Sequence, residues 1–472
     1  MLLCKRSKTL FLAIFLAFSV ISLAVGHVLT PISPKTVFFM LPTRIWQLSL
    51  GIFTYVIASR LTSSRSPVLK SPAVGAALII LLCGIGFDEE ARFPGLQSFL
   101  ACGATAHALG LFQLQSSHAA FLTWAPVSYV GKISYVLYLW HWPIISLMIV
   151  KLDWELTITE ATLALAGSAL LSVLTYRYIE TPIRSRRVIA TRRALVTACA
   201  AGFICVAVTA AMLISTHGAL FLYPKDLYPL FKAAGELTPY RCPKSFRVLH
   251  PSAQICPVNS VASAPGLMIM GDSHADQLDQ LIAQIGTTYD VPVFMTVRNC
   301  SLGTSGARHF CRKEILDELL AQAREHGVKD LLAISSWLDE FLDVAAFERE
   351  IAQIRAAGMR VWILHSVPRH PDFRPDVRAE AALRGARLSW DGIPVETYER
   401  EIAKQRLVFS ALRAEFGDDV RILSPKGRMC PDGICRFHTD GKPNYRDDSH
   451  VTHVGAERLR PLFEGLFEAR RP

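Results

Sequence analysis

Long uncharged runs in the first 216 of 472 residues constrain this chain more than any other feature. A helix needs about 20 apolar residues to cross the hydrocarbon core of a bilayer. Seven such stretches occur, at 9–26, 42–59, 71–88, 95–113, 128–150, 157–177 and 194–215. Residues 217–472 have ordinary globular polarity, so the apolar excess (51% hydrophobic, 19% charged) belongs to one half. Soluble enzymes of this length do not reach that balance. The expected organisation is a membrane domain of about seven transmembrane helices over 1–216, an ordered extracytoplasmic linker over 217–262 and a water-soluble domain over 263–472. The first run follows Lys5-Arg6-Ser7-Lys8 as a signal peptide would, but more spans follow and no small-x-small cleavage site stands out. It reads as an anchor.

The net charge of +10 raises nucleic acid as a partner, yet the basic residues sit beside the apolar runs. Lys5, Arg6 and Lys8, then Arg60, Arg65 and Lys70, then Arg184, Arg186, Arg187, Arg192 and Arg193 form three clusters. Positive charge at one side of successive spans marks cytoplasmic loops. The partner is a lipid bilayer, and no nucleic acid is expected. The loops carrying Asp88-Glu89-Glu90 and Asp153 to Glu155 then lie outside, and an odd number of spans exports everything after 216.

The eleven cysteines divide in the same way. Cys4, Cys83, Cys102, Cys199 and Cys205 belong to the membrane half and read as small hydrophobes. The other six form sequence-local pairs: Cys242 with Cys256, Cys300 with Cys311, Cys430 with Cys435. Close pairs in an otherwise soluble domain suggest disulfides and an oxidising compartment. Zinc is the rival at Cys430, Cys435 and His438, though no paired Cys-x-x-Cys knuckle accompanies them; no metal is expected.

From residue 265 onward strands and helices alternate. Strands are expected at 266–270, 292–297, 330–335, 361–366 and 420–424, and helices at 274–286, 313–326, 345–357 and 396–416. That alternation implies a parallel sheet with helices on both faces, and in such sheets sites form at the C-terminal strand ends. Gly271-Asp272-Ser273 stands at the first such end. A serine there can be a nucleophile beside the free N–H groups of a new helix. Equally, Asp272 or Ser273 can be a plain N-cap. Far downstream, Asp447 and His450 are three apart, so a carboxylate can fix the tautomer of an imidazole that takes a proton from Ser273. His453 lacks a carboxylate three residues before it and is the decoy.

Gly271-Asp272-Ser273-His274 and Asp447-x-x-His450 resemble the first and last blocks of the SGNH (GDSL-like) hydrolase superfamily. The resemblance implies an α/β, flavodoxin-like domain with Ser273, His450 and Asp447 as catalytic triad. It also implies an oxyanion site that includes the Ser273 N–H. The usual Gly-x-Asn-Asp block is absent, so Asn299, Gly303 and Ser336, which follows a strand in Ser335-Ser336-Trp337, are the candidates for the other donors. Turn chemistry near a disulfide explains Asn299 and Gly303 equally well.

Three stretches of the membrane half resemble the acyltransferase family 3 membrane proteins, many of which carry a C-terminal SGNH domain. They are Leu41-Pro42-Thr43-Arg44-Ile45-Trp46-Gln47-Leu48-Ser49-Leu50-Gly51, Gly131-Lys132-Ile133-Ser134-Tyr135-Val136-Leu137-Tyr138-Leu139-Trp140-His141-Trp142-Pro143 and Tyr176-Arg177-Tyr178-Ile179-Glu180-Thr181-Pro182-Ile183-Arg184. Arg44, His141 and Glu180 are the membrane-domain candidates. An ionisable residue inside a span is a functional hypothesis by default. For His141 a hydrogen-bonded packing role competes, and for Arg44 and Glu180 snorkelling does. The family begins with further spans carrying a basic residue and a histidine, which this chain lacks, and Gln47 stands where a glutamate is expected. The membrane half therefore reads as a truncated or mis-started acyltransferase. Together the resemblances imply an O-acyltransferase of the bacterial inner membrane whose periplasmic domain acts on a cell-envelope polysaccharide or lipopolysaccharide, its typical reaction O-acetylation. The acyl donor would be acyl-CoA (acetyl-CoA), the acceptor a glycan, with no bound cofactor. A membrane-tethered esterase or deacetylase, or a non-catalytic glycan-binding module, are the alternatives.

Overall fold

The structure, a computed structural model, describes residues 8–30, 34–61, 102–103, 105–106, 124–151, 156–237, 241–263, 265–304, 313–339, 342–369, 373–387 and 392–470. The chain divides into two compact units, Met1–Ala211 and Met212–Pro472.

The first unit is helical: α1 (Lys8–Leu29), α2 (Ile45–Leu61), α3 (Ala125–Lys151), α4 (Ile158–Thr175) and most of α5 (Arg192–Ser215), whose last turn falls in the second unit. Thr157 and Glu160 form a capping box that starts α4, satisfying otherwise orphaned amides. The helix continues through a π-helical turn, Tyr176–Glu180, into Thr181–Arg184. On α4 the small residues Ala164, Ser168 and Ser172 are buried at four-residue spacing. Such a strip lets helices approach closely where no hydrophobic effect drives them together. The neighbour is α3, whose Trp140 indole donates to Thr175 Oγ1 at 3.0 Å. Among the described residues three helices are long and apolar enough to cross a membrane: Leu12–Leu29, Ile158–Arg184 and Arg192–Ser215. The apolar stretch Ile45–Ile57 is shorter. The expected span at 71–88 lies outside the described residues, and all but four residues of 95–113 do as well.

The second unit is built on a six-stranded sheet. Its strands are β1 (Ile255–Pro257), β2 (Gly266–Gly271), β3 (Val293–Thr296), β4 (Val328–Ile334), β5 (Arg360–Leu364) and β6 (Val420–Leu423), in spatial order β1-β3-β2-β4-β5-β6. From β3 to β6 all pairings are parallel. β1 adds an antiparallel edge on β3, so the sheet is mostly rather than wholly parallel. The period-two alternation of a strand sends Leu267 and Ile269 to one face and Met268 and Met270 to the other. Each pair enters a separate core. The first holds Leu278, Ile282 and Phe463, from α8 (Asp279–Thr288) and around it and from α15 (Arg460–Glu468). The second holds Leu316, Phe347 and Phe409, from α9 (Lys313–Glu325), α10 (Val344–Ala356) and α13 (Ala403–Phe416). Helices thus cover both faces.

The helix expected over 274–286 is two: a turn, α7 (Ser273–Asp276), and then α8, broken at Gln277 and Leu278. The helix expected over 396–416 breaks at Ile402 into α12 (Val395–Glu401) and α13. In the extension, α6 (Tyr228–Ala234) packs on α11 (Pro375–Leu383) through Leu230 and Ala379. Two parallel strands diverge in connection direction between β2 and β4, which is the switch point where such sheets open a crevice.

Candidate active site

β2 ends against β4 so tightly that a Cβ at residue 271 would lie 1.6 Å from the Ile334 carbonyl oxygen. Only glycine fits. Asp272 then caps the following turn: its Oδ1 accepts from the His274 amide at 2.8 Å, and its Oδ2 from the Ser336 amide at 2.9 Å. One carboxylate thereby ties the turn after β2 to the loop after β4. Ser273 is the first residue of α7, so its own N–H has no partner one turn back in the helix.

The loop that meets Ser273 is closed by an antiparallel bridge between Tyr445 and Val451, both buried. It presents His450, whose Nε2 lies 2.8 Å from Ser273 Oγ. On the far side of the ring, Nδ1 stands 2.9 Å from Asp447 Oδ2 and 3.0 Å from Oδ1. A nitrogen facing a carboxylate carries the proton, so Nε2 is the acceptor for the serine hydroxyl. Asp447 is partly buried, which works against its charge. Hydrogen bonds from the His450 ring and from the amides of His450 (2.7 Å) and Ser449 (3.0 Å) outweigh burial and hold it well below the usual carboxylate range. Ser273, His450 and Asp447 thus form one row. His453 stands apart: it begins α14 (His453–Arg458), its amide donates to the Glu236 carboxylate, and its side chain is 62% exposed beside Glu457.

Several neighbours have no role that the sequence assigns, His274 included although it closes the Gly271–His274 block. His274 stacks on His450 with ring centroids 4.5 Å apart. Burial, with the His450 charge, lowers its pKa to about 4. Gln277 bridges from His274 Nδ1, 3.2 Å away, to the Val451 amide, tying the serine turn to the histidine loop. Arg241 is buried beneath the turn and donates to the carbonyls of Gly271 and Asp272 at 2.9 and 2.6 Å. A cleft of about 320 Å³ opens beside the row, between the loops after β4 and β5, with His274, Asp339, Arg369, Glu401 and Ser449 among its lining.

The oxyanion candidates fare differently. The Ser336 amide is engaged by Asp272 and the Gly303 amide by Glu350 at 2.7 Å. Gly303, at φ +62, is required for packing, because a Cβ would meet the Phe347 ring at 2.5 Å. Asn299 is exposed, next to Cys300, whose amide donates to the Gly271 carbonyl at 3.0 Å.

In the membrane unit Arg44 Nε donates to Gln47 at 3.0 Å, and its guanidinium lies over the Phe38 ring. His141 Nδ1 sits 2.7 Å from the Tyr138 carbonyl, a bond within its own helix. The ring borders a cavity of about 400 Å³ between α3 and α4, with Ser134 and Ser168. Glu180, in the π-helical turn, pairs with Arg184 at 3.5 Å. Disulfides join Cys242 to Cys256 and Cys430 to Cys435, so the latter two sulfurs are not thiolate ligands for a metal. Cys300 is disulfide-bonded too, while Cys311 lies outside the described residues.

Comparison with known proteins follows the same division. Residues 1–177 match the family described as an acyltransferase domain, and 241–465 the one described as an SGNH domain fused to AT3 domains. The O-acetyltransferase OatA of Staphylococcus aureus (strain NCTC 8325 / PS 47) is 29% identical over 160 residues, 32% of this chain and 26% of that protein. The peptidoglycan O-acetyltransferase OatA of Listeria monocytogenes serovar 1/2a is 33% identical over 164 residues, again 32% and 26%. The chain spans about a quarter of the length of these curated relatives. A solved structure described as the periplasmic domain of a lipopolysaccharide acetyltransferase of Salmonella ser. Paratyphi A covers 44% of this chain and 85% of that one, at 15% identity and a TM-score of 0.36. The chain thus joins a domain of the acyltransferase family, 1–177, to a domain of the SGNH family found fused to AT3 domains, 241–465.

Proposed function

We propose that the protein is a membrane O-acyltransferase that places acyl groups, acetyl first among them, on hydroxyls of a cell-envelope glycan. The observation that carries this is the unbroken row Ser273–His450–Asp447 at the C-terminal edge of the sheet. Relatives named O-acetyltransferase and peptidoglycan O-acetyltransferase support the choice of acetyl and of glycan.

In this reading Ser273 Oγ attacks the carbonyl carbon of an acyl donor while its proton passes to His450 Nε2. Asp447 holds the ring in the required tautomer and offsets the imidazolium charge. Collapse of the tetrahedral species releases the donor's leaving group, which takes the proton from His450. A glycan hydroxyl then attacks the acyl-serine as its proton passes to His450, and collapse breaks the bond to Ser273 Oγ, which takes that proton back. The Ser273 N–H is one oxyanion donor. Delivery falls to the membrane half, with acyl-CoA as donor and Arg44, His141 and Glu180 as candidates for handling it. The apolar helices support a multi-pass membrane protein, and the disulfides support a periplasmic second unit.

The test is acetyl transfer to envelope saccharides by membranes containing the full chain. Ser273→Ala should abolish O-acetylation while the protein accumulates normally. Acetylation at the parental level in that variant would overturn the reading. Release of free acetate in place of a saccharide ester would make the protein an esterase.

A further inference from the structure

We propose that Arg241 is a positioning residue for the Ser273 turn, an inference that rests on the reading of Ser273 as nucleophile. Its side chain is 3% exposed, and a cation so deeply placed persists only when its donors are matched. Nη2 donates to the carbonyls of Gly271 (2.9 Å) and Asp272 (2.6 Å), the two residues directly before the serine. Nη1 donates to Thr296 Oγ1 (3.0 Å) and the Arg298 carbonyl (2.8 Å), at and beyond the end of β3. Nε stands 2.5 Å from Asp276 Oδ1, three residues after the serine, as an ion pair rather than an aligned hydrogen bond. The guanidinium therefore grips the backbone on one side of Ser273 and a carboxylate on the other.

Arg241 itself is fixed from outside. Its neighbour Cys242 is bridged to Cys256 in β1, and β1 pairs with β3. Five residues earlier, Glu236 reaches the other half of the row: its carbonyl accepts from Arg446 at 3.3 Å, and its carboxylate from the His453 amide. Ser273 and His450 are 177 residues apart in sequence, so their 2.8 Å approach depends on two loops keeping register. The segment before the sheet touches both loops. Displacement of a reacting group by about 1 Å can cost about 10²-fold in rate, and that is the effect assigned to Arg241.

The experiment uses the full chain in nanodiscs, a small chromogenic acetyl ester as probe, and backbone hydrogen exchange as a readout independent of activity. Arg241→Met should lower kcat about 10²-fold with KM little changed, Arg241→Lys should fall between, and Arg241→Gly should regain turnover with added guanidinium well below denaturing concentrations. Exchange at 271–276 should quicken in Arg241→Met while β4 and β5 stay protected. Parental kcat per folded molecule in Arg241→Met, or faster exchange across the whole sheet with no guanidinium rescue, would overturn the proposal. Should the parent show no Ser273-dependent turnover, the nucleophile reading fails. The exchange arm then decides Arg241 alone: local loss of protection supports its hold on the turn, and unchanged protection refutes it.

Discussion

A serine hydroxyl is a poor nucleophile at neutral pH unless a base is held against it, so the two residues behind Ser273 set the expected ranking of variants. His450→Ala removes the base and should cost about as much as Ser273→Ala. Asp447→Asn keeps the base in a wrong tautomer and should cost somewhat less, on the order of 10³–10⁴-fold in kcat. The double variant Ser273→Ala, His450→Ala should add little. His453→Ala, exposed and outside the row, should keep most activity in the same acetyl-transfer assay. These residues were legible because Asp447 and His450 are local, three apart in one loop. Arg241 and His274 were not, because their surroundings come from segments distant in sequence. Two buried groups also make opposite pH predictions. His274, lowered from 6.5 to about 4, stays neutral when folded, so the unfolded chain binds the proton and stability falls as pH drops through that window. Asp279, raised by burial from 3.8 to about 7, is driven toward its neutral form, so stability falls as pH rises through its window. Each is worth on the order of 3–4 kcal/mol at most, and with opposite signs they mask each other. Relative to the parent, His274→Gln should be more stable near pH 4 than near pH 8, and Asp279→Asn more stable near pH 8 than near pH 4. Unfolding free energies from hydrogen exchange of β4 amides at the two pH values would check both. Parallel curves would refute them.

At the scale of elements, the parallel strands were readable because buried strands are short apolar runs between turn residues. β2 and β5, expected at 266–270 and 361–366, are Gly266–Gly271 and Arg360–Leu364. β1 was not readable: Ile255–Pro257 is too short for a pattern and exists by pairing with β3. The break at Gln277 was hidden too, since the helical pattern runs through it and only a tertiary bond from its side chain marks it. Nor did sequence show what holds the N-terminal ends of the central strands together. Asp330, fully buried in β4, accepts from Arg360 Nε at 2.8 Å, Trp362 Nε1 at 3.1 Å and Arg470 Nε at 2.7 Å. Arg470 also donates to the Pro265 and Gly266 carbonyls, both at 3.0 Å, so the C-terminal end of the chain fixes the start of β2. Removing one partner of a buried pair costs about 3–5 kcal/mol when the other charge is left alone, and toward the lower end here, because Arg360 still faces Asp330. Arg470→Met should therefore destabilise the second unit by that order, and adding Asp330→Asn should restore part of it. A double variant no better than Arg470→Met alone would show that the carbonyl bonds, not the ion pair, carry the effect.

For the whole molecule, the decisive question is which side of the membrane each half occupies, since the proposed acceptor is an envelope glycan. Two sets of residues bear on it independently. The basic clusters at Lys5 to Lys8, Arg60 to Lys70 and Arg184 to Arg193 mark one side by the positive-inside bias. The disulfides Cys242–Cys256 and Cys430–Cys435 are what an oxidising compartment favours, which supports the proposed export of the second unit. In α5, Phe203, Ile204, Val206, Val208 and Ile214 are all exposed. A helix apolar around its circumference suits lipid, and α5 is long enough to cross a membrane between the basic cluster and the second unit. An alkaline phosphatase, which folds only where its own disulfides form, should therefore be active when fused after residue 472 and inactive when fused within 62–70. Non-reducing peptide mapping of the same membranes should recover Cys242–Cys256 and Cys430–Cys435, and losing either bridge should cost about 2–4 kcal/mol. The fusion result carries the greater weight, because disulfides report only the oxidising compartment while the pair of fusions reports both sides. Activity at 62–70 with none after 472 would invert the topology and put Ser273 on the wrong side for a glycan acceptor. Activity at both positions would mean an even number of crossings between them and would overturn the expected seven spans.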